Sequence, residues 1–464
     1  MRRSSPMKRS AALLFACITA ALLVVLGASE AAQAKVSEAE AAKLGNELTP
    51  LGAIQGGSDD GTIPPWKGGI TEPVAGYEPG MHHPDPFAAD EVMFTITAEN
   101  VAQYADKLSP GQVAMFERYP ETWSIKVYPT RRSAAFPDYV YEATISNATR
   151  AELTESGYGV RNAGGGPPFP MPQNGLEGIW NHLLRYRGST ITHTCGQVAP
   201  SAGGAYTLVK LDEKVLVPYA EKGATTEEIG NISQYFLQQV TAPPRLAGYI
   251  LLVHDTIDQV KEPRKAWTYN PGQRRVRRAP NIAYDNPGTA SDGQRTSDQI
   301  DMYNGAPDRY DWELVGRREM YVPYNAYRLE TGDLSLDDIV HAGHLNPEYL
   351  RYELHRVWVV EARVKEGTSH IYARRTFYLD EDSWSVLLVD QYDARGQIWR
   401  VSESHPINYY EHPLLWTTME TTYDLQNGRY LARGLYSVGS VPRFDLTYEP
   451  AEFSPDVLRR MGRR

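Results

Sequence analysis

From about residue 190 to its end, the chain reads as a succession of hairpins, and no other feature restricts its fold as strongly. RVWVVEARV and HIYARRTFYL are joined by Lys365-Glu366-Gly367, and Asp380-Glu381-Asp382 leads into SWSVLLVDQYD. Ala394-Arg395-Gly396 leads into QIWRVSES, and TTMETTYDL meets RYLARGLYS across Asn427-Gly428, a strong hairpin signal. Trp384, Val386 and Leu388 fall on one face of their strand, as Trp358, Val360, Ala362 and Val364 do on theirs. A sheet with one apolar face must cover it. The expected class is mainly β with accessory helices: a curved antiparallel sheet. The 30 tyrosines, against 10 phenylalanines and 9 tryptophans, suit wide sheets with a half-wet face.

Arg2, Arg3, Lys8 and Arg9 precede an apolar stretch from Ala11 to Leu26, and Ala32-Gln33-Ala34 offers small residues to a signal peptidase. Residues 1–34 are therefore expected to be an export signal cleaved after Ala34, giving a periplasmic product. Cleavage leaves Cys195 as the single cysteine, so an internal disulfide is excluded. The formal net charge of -10 argues against nucleic acid. No later stretch has the apolar length of a transmembrane helix.

Residues 35–190 are expected to be a helix- and loop-rich elaboration packed on the sheet region 191–464, the whole forming one domain. Ser37 can cap a helix running through Leu48, and further helices are expected near 98–107 and 110–117. NGLEGIWNHLLRYRG carries Leu176, Ile179, Trp180, Leu183 and Leu184 as one helical stripe, which either packs on the sheet or plugs its mouth. AYTLVKLDEKVLVPYAE and LAGYILLVHDTIDQV read as strands separated by a helix near 226–240.

One basic cluster interrupts the acidic chain. In TYNPGQRRVRRAP, Asn270-Pro271-Gly272-Gln273 has the composition of a type II turn. Direct pairing would set Tyr269 opposite Arg274 and Trp267 opposite Val276, dividing the four arginines between two faces. Either Asp255, Asp258, Glu262 or Asp285 neutralises them, or some grip an anionic head group. The polar segment 281–311 has the length of a lid or binding loop, or of a packed crossover.

Other chemistry is thinly signalled. His341 and His344 would share a helical face, but Gly343 and Pro347 weaken that helix. The histidines of MHHPDP are expected to be solvated, and Cys195 has only His193 nearby in sequence. Nucleophile-elbow, phosphate-loop and dinucleotide motifs are missing. The expectation is no catalytic residue, no metal and no cofactor.

Taken together, LTPLGAIQGGSDDGTIPPWKGG, YPTRRS, NGLEGIWNHLLRYRG, NPGQRRVRRAP, DWELVGRREMYVPYNAYRL and YARRTFYLDEDSWSVLLVDQYDARGQIWR resemble one family of exported Gram-negative proteins. Its members carry domain of unknown function 1329 and are commonly labelled outer-membrane lipoprotein-sorting proteins. The family looks like a distant relative of LolA/LolB-type carriers, whose unclosed antiparallel β-barrel holds acyl chains under helices. The resemblance implies an unclosed barrel here, and company with a resistance–nodulation–division-type transporter and an outer-membrane protein.

The expected function is a non-catalytic periplasmic carrier or chaperone for a lipid, lipoprotein or other hydrophobic molecule. The alternatives are a scaffold docking an envelope transporter, and an enzyme acting on an envelope lipid or glycan. Trp267, Tyr269, Trp312, Tyr321, Tyr324 and Trp358 are the candidates for cavity or rim, and Arg274 and Arg278 for head-group contact.

Overall fold

The computed structural model describes residues 36–279, 282–444 and 446–462; the expected signal over 1–34 lies outside them. In the N-terminal part lie β1 (Phe94–Ile96), β2 (Ile125–Val127) and a separate short hairpin of β3 (Glu152–Leu153) and β4 (Val160–Arg161). The middle of the chain supplies β5 (Thr190–Val198), β6 (Val209–Leu216), β7 (Ile232–Ala242), β8 (Ile250–Thr256), β9 (Lys265–Asn270) and β10 (Arg275–Arg278). After them come β11 (Tyr310–Pro323), β12 (Tyr352–Val364), β13 (Arg374–Asp380), β14 (Val386–Tyr392), β15 (Ile398–Tyr409), β16 (Leu414–Asp424) and β17 (Arg429–Arg443).

Among the described residues, fifteen strands form one sheet in the order β1-β2-β12-β13-β14-β15-β16-β17-β5-β6-β7-β8-β9-β10, with β11 beside β12 off that path. Neighbours are antiparallel except β12 and β2, which meet in parallel at Tyr352 and Val127. The two ends of the path, β1 and β10, pair with each other nowhere, so the sheet is mixed and not closed. The fold is mainly β.

The expected hairpins are present, but the connection at Lys365-Glu366-Gly367 runs on to residue 373, because β13 begins only at Arg374. Trp384 lies in a turn ahead of β14 rather than on its face with Val386 and Leu388. Asp424 pairs with Arg429, and Gly428, at φ +70°, completes their turn. A harder turn joins β13 to β14: there Trp384, fully buried, takes φ +61° and donates its indole N–H to the carbonyl of Leu51 at 2.8 Å.

The helices differ more from expectation. Ser37 does cap a helix, but only Glu38–Ala41 are helical. The helix expected near 98–107 is a pair of short 3₁₀ turns, whereas Pro110–Arg118 is helical behind a Ser109–Gln112 capping box. Asp138–Arg150 forms a helix that the sequence reading missed. Gly175–Leu184 lies across β11 and β12, and Gly178 permits that approach, since a Cβ there would stand 2.9 Å from Val360.

Residues 226–240 contain no α-helix. Instead β7 occupies 232–242, with Tyr235 and Leu237 on one face and Phe236 and Val240 on the other. The glutamines at 234 and 238 look helical in a polar stretch, yet they point into the interior and are bonded there.

The arginine hairpin also differs. The Asn270 side chain accepts from the backbone N–H of Gly272 (2.9 Å) and Gln273 (3.2 Å), and Arg274 takes the left-handed conformation at φ +51°. The four-residue loop is therefore displaced by one position, to 271–274: Asn270 faces Arg275, Val276 faces Tyr269 and Arg278 faces Trp267. The proposed acids are engaged elsewhere: Asp255 with Arg264, Glu262 with Lys265, Asp285 with Arg309. Asp258 caps its own loop at the N–H of Lys261. Arg274, Arg275, Arg277 and Arg278 stay exposed at the free end of the sheet. Charge on an edge strand opposes pairing with another chain.

A buried acid of the sheet gives its stability an expected pH dependence. Glu403 is fully buried, accepts from the Tyr352 hydroxyl at 2.9 Å, and has its carboxyl pushed by burial up to about 8. The folded chain thus keeps a proton that the unfolded chain loses near its ordinary value of 4.5. Stability from this group is complete below about 4.5 and is lost as pH rises towards 8. Glu403→Gln is expected to unfold at higher urea than wild type at pH 8, by about 2–4 kcal/mol, and to match it near pH 4.5. Equal stabilities at pH 8 would contradict this.

Candidate functional site

One face of seven consecutive strands, β16-β17-β5-β6-β7-β8-β9, lines a single cavity of about 470 Å³. For so many strands to share one cavity, the sheet must curl around it. Its oily wall comes from side chains such as Ile191, Phe236, Val240, Leu251, Val253 and Leu415. The opposite wall is the crossing segment 282–304, within the stretch singled out as a lid or crossover.

That segment is firmly held. Asp298 pairs with Arg375 at 2.6 Å and His370 at 3.1 Å, and Gln299 accepts from the Tyr372 hydroxyl at 2.8 Å. Gln197 donates to the carbonyls of Thr289 and Ala290. It is a packed crossover that also serves as the roof of the cavity.

The polar groups of the cavity form paired sets. On β6, Glu213 receives Arg433 at 2.5 and 2.6 Å, Gln238 at 2.5 Å and His193 at 2.8 Å. Burial alone would raise its carboxyl, but the Arg433 charge and the His193 bond hold it far below the usual carboxylate range. Arg185 and Arg187, just after the Gly175–Leu184 helix, both grip Asp301 of the roof. Arg264 pairs with Asp255. Glu420 lies 3.7 Å from Arg433 and accepts the Asp301 N–H at 3.2 Å; burial raises its carboxyl.

The remaining candidate chemistry is saturated or dispersed. His193, Cys195 and Glu213 are close enough to hold a cation, yet Glu213 already receives four bonds, and burial pushes the Cys195 thiol well above its ordinary range. In the second such group, Asp382 is taken by Arg132 and the His355 Nε2 by Glu353. His344 is buried between Thr122 and the Leu345 carbonyl while His341 is exposed, so they share no site. His83 is not solvated: it is buried with its Nε2 3.0 Å from Glu411.

None of the eight expected ligand contacts lines this cavity. Trp267 and Tyr269 occupy the other face of β9, under the C-terminal helix Pro455–Met461, where the Tyr269 hydroxyl donates to Gly462 at 2.7 Å. Arg278 lies over Trp267 on that outer face, and Arg274 sits in the turn. Trp312 stacks on Phe377 and Trp358 on Trp384 within a separate core. Tyr321 packs against Phe94 and Tyr104, and Tyr324 stacks on His355 with its hydroxyl 3.1 Å from Asp380. Strand alternation sends one set of aromatics inward to the cavity and another outward to the covering layers, and the sequence gives no sign of which layer each meets.

This chain belongs to the DUF1329 family of proteins of unknown function, whose family profile matches residues 95–459. An uncharacterized protein of Pseudomonas aeruginosa is 51% identical over 433 residues, covering 93% of this chain and 95% of that one. The crystal structure of a DUF1329 family protein from Desulfovibrio piger is 16% identical with a TM-score of 0.41, covering 59% of this chain and 92% of that one. The LolA superfamily protein of Nitrosomonas europaea is 14% identical with a TM-score of 0.37, covering 62% of this chain and all of that one. Among the described residues, no helix is long and apolar enough to cross a membrane.

Proposed function

We propose that this protein is a non-catalytic periplasmic carrier or chaperone for a lipid, a lipoprotein's acyl part or another hydrophobic molecule. The observation that carries the reading is the cavity of about 470 Å³ between the curled face of the sheet and the 282–304 roof. That volume falls within the roughly 300–1,000 Å³ of small-ligand sites. Each methylene buried against such a wall gains about 0.8 kcal/mol, so an alkyl chain binds without elaborate polar recognition. The periplasmic location rests on the N-terminal pattern of cations, apolar run and Ala32-Gln33-Ala34.

The test is native mass spectrometry of protein purified from its own envelope compartment, followed by solvent extraction. One co-purifying hydrophobic molecule per chain is the expected result. Repeated recovery of the bare chain would refute the carrier.

A second reading, an adaptor that docks an envelope transporter or outer-membrane protein, is favoured by the four exposed arginines at the end of the sheet. An acidic partner surface would complement them. Under that reading a tight protein partner accompanies the bare chain.

A further inference from the structure

Five arginines and four carboxylates line the cavity of an otherwise acidic chain. Four of the arginines are matched: Arg185 and Arg187 to Asp301, Arg264 to Asp255, Arg433 to Glu213. The fifth, Arg295, comes from the roof and is only 6% exposed. Among the described residues it forms no ion pair; Nη1 reaches the Thr296 carbonyl at 3.4 Å, and the buried Nε has no acceptor. Burial, with Arg433 nearby, lowers its pKa to about 10.

A buried guanidinium without a carboxylate is costly, and removing one partner of such a pair typically destabilises a protein strongly. Among the described residues no carboxylate comes within ion-pair distance of Arg295; the charges of Glu420, Glu213 and Asp298 act on it only from farther off, and Asp298 and Glu213 are held by Arg375 and Arg433. The local backbone is also shaped around this side chain. A Cβ on Gly288 would stand 2.9 Å from the Arg295 Cζ and 3.0 Å from Nη2, so a larger residue there would push the guanidinium out of its present position. The planar fork of arginine matches two oxygens of a carboxylate or phosphate.

We propose that Arg295 receives the anionic head of an amphiphile, a carboxylate or a phosphate monoester, whose alkyl chain lies along the Phe236–Leu251 wall. This rests on the carrier reading and specifies its ligand class. It also places the head-group contact in the roof rather than in the arginine hairpin.

The experiment uses the mature chain freed of lipid and loaded with the neutral fluorophore N-phenyl-1-naphthylamine. Dodecanoate, dodecyl phosphate and 1-dodecanol are then compared as displacing ligands. Wild type is expected to prefer at least one anion over the alcohol by about tenfold or more, the range of a charge-assisted hydrogen bond. In Arg295→Gln that preference is expected to fall to within about twofold, with dodecanol unchanged and thermal stability equal or higher. The anion preferred identifies the head group as carboxylate or phosphate. Gly288→Val keeps the charge but displaces it, and is expected to reduce the same preference; it decides the matter if Arg295→Gln does not fold. Equal displacement by anions and alcohol in wild type, or a preference that survives the substitutions, overturns the proposal while leaving a carrier of neutral molecules. Failure of the fluorophore and all three ligands to bind overturns the carrier and this inference together.

Discussion

Arg132→Leu is expected to lower the free energy of unfolding by about 3–5 kcal/mol, the cost of stripping one partner from a buried ion pair. Arg132 is 7% exposed and grips Asp382 with Nε at 2.8 Å and Nη2 at 2.6 Å. The same guanidinium donates to the carbonyl of Ile54 at 2.9 Å and lies within 3.4 Å of those of Gln55 and Pro64. It therefore ties the glycine- and proline-rich stretch near the N-terminus to the β13–β14 turn. Without it, Asp380, Glu381 and Asp382 stand together in the interior, and Asp380 and Glu381 already have raised carboxyls through burial and the Asp382 charge. Urea unfolding followed by tryptophan fluorescence measures the loss. A change under about 1 kcal/mol would mean that the strap is held by packing alone.

Glu213→Gln is expected to cost a similar amount, about 3–5 kcal/mol, because it leaves Arg433 buried with only Glu420 at 3.7 Å. Here the pH dependence separates charge from shape. The folded-state carboxyl of Glu213 is depressed below its unfolded value, so its contribution is fully present above about 4.5 and is lost as pH falls further. Wild type and variant are therefore expected to converge in acid and to differ most near neutrality. A difference that does not shrink as pH is taken from about 4.5 further into acid would assign the effect to packing.

Much of the sheet was legible because turn chemistry is local. Asn427-Gly428 and Lys365-Glu366-Gly367 announce hairpins whatever packs on them. The 281–311 stretch was also legible as unusual, since so long a polar crossover inside a compact fold needs a reason. The inward glutamines of β7 were not legible, because Gln234 and Gln238 owe their burial to Asp255 and Glu213, acids on neighbouring strands. The cavity charges escaped for the same reason. Arg433 meets Glu213 across β5, and Arg185 meets Asp301 from more than a hundred residues away, so only the folded register brings them together. The arginine run is conspicuous because its charge is dense in sequence, yet it lies outside the cavity, whereas Arg295, which lines it, is a single arginine in a polar loop.

The account stands or falls on whether the space beneath the 282–304 segment holds a guest. Native mass spectrometry of the protein taken directly from the envelope, set beside Leu251→Trp, measures this most directly, since the indole would fill the wall at which Leu251 now lines the cavity. The account predicts a bound hydrophobic mass on wild type that is absent from a folded Leu251→Trp chain. A bare wild-type chain, or the same mass on both proteins, would contradict it.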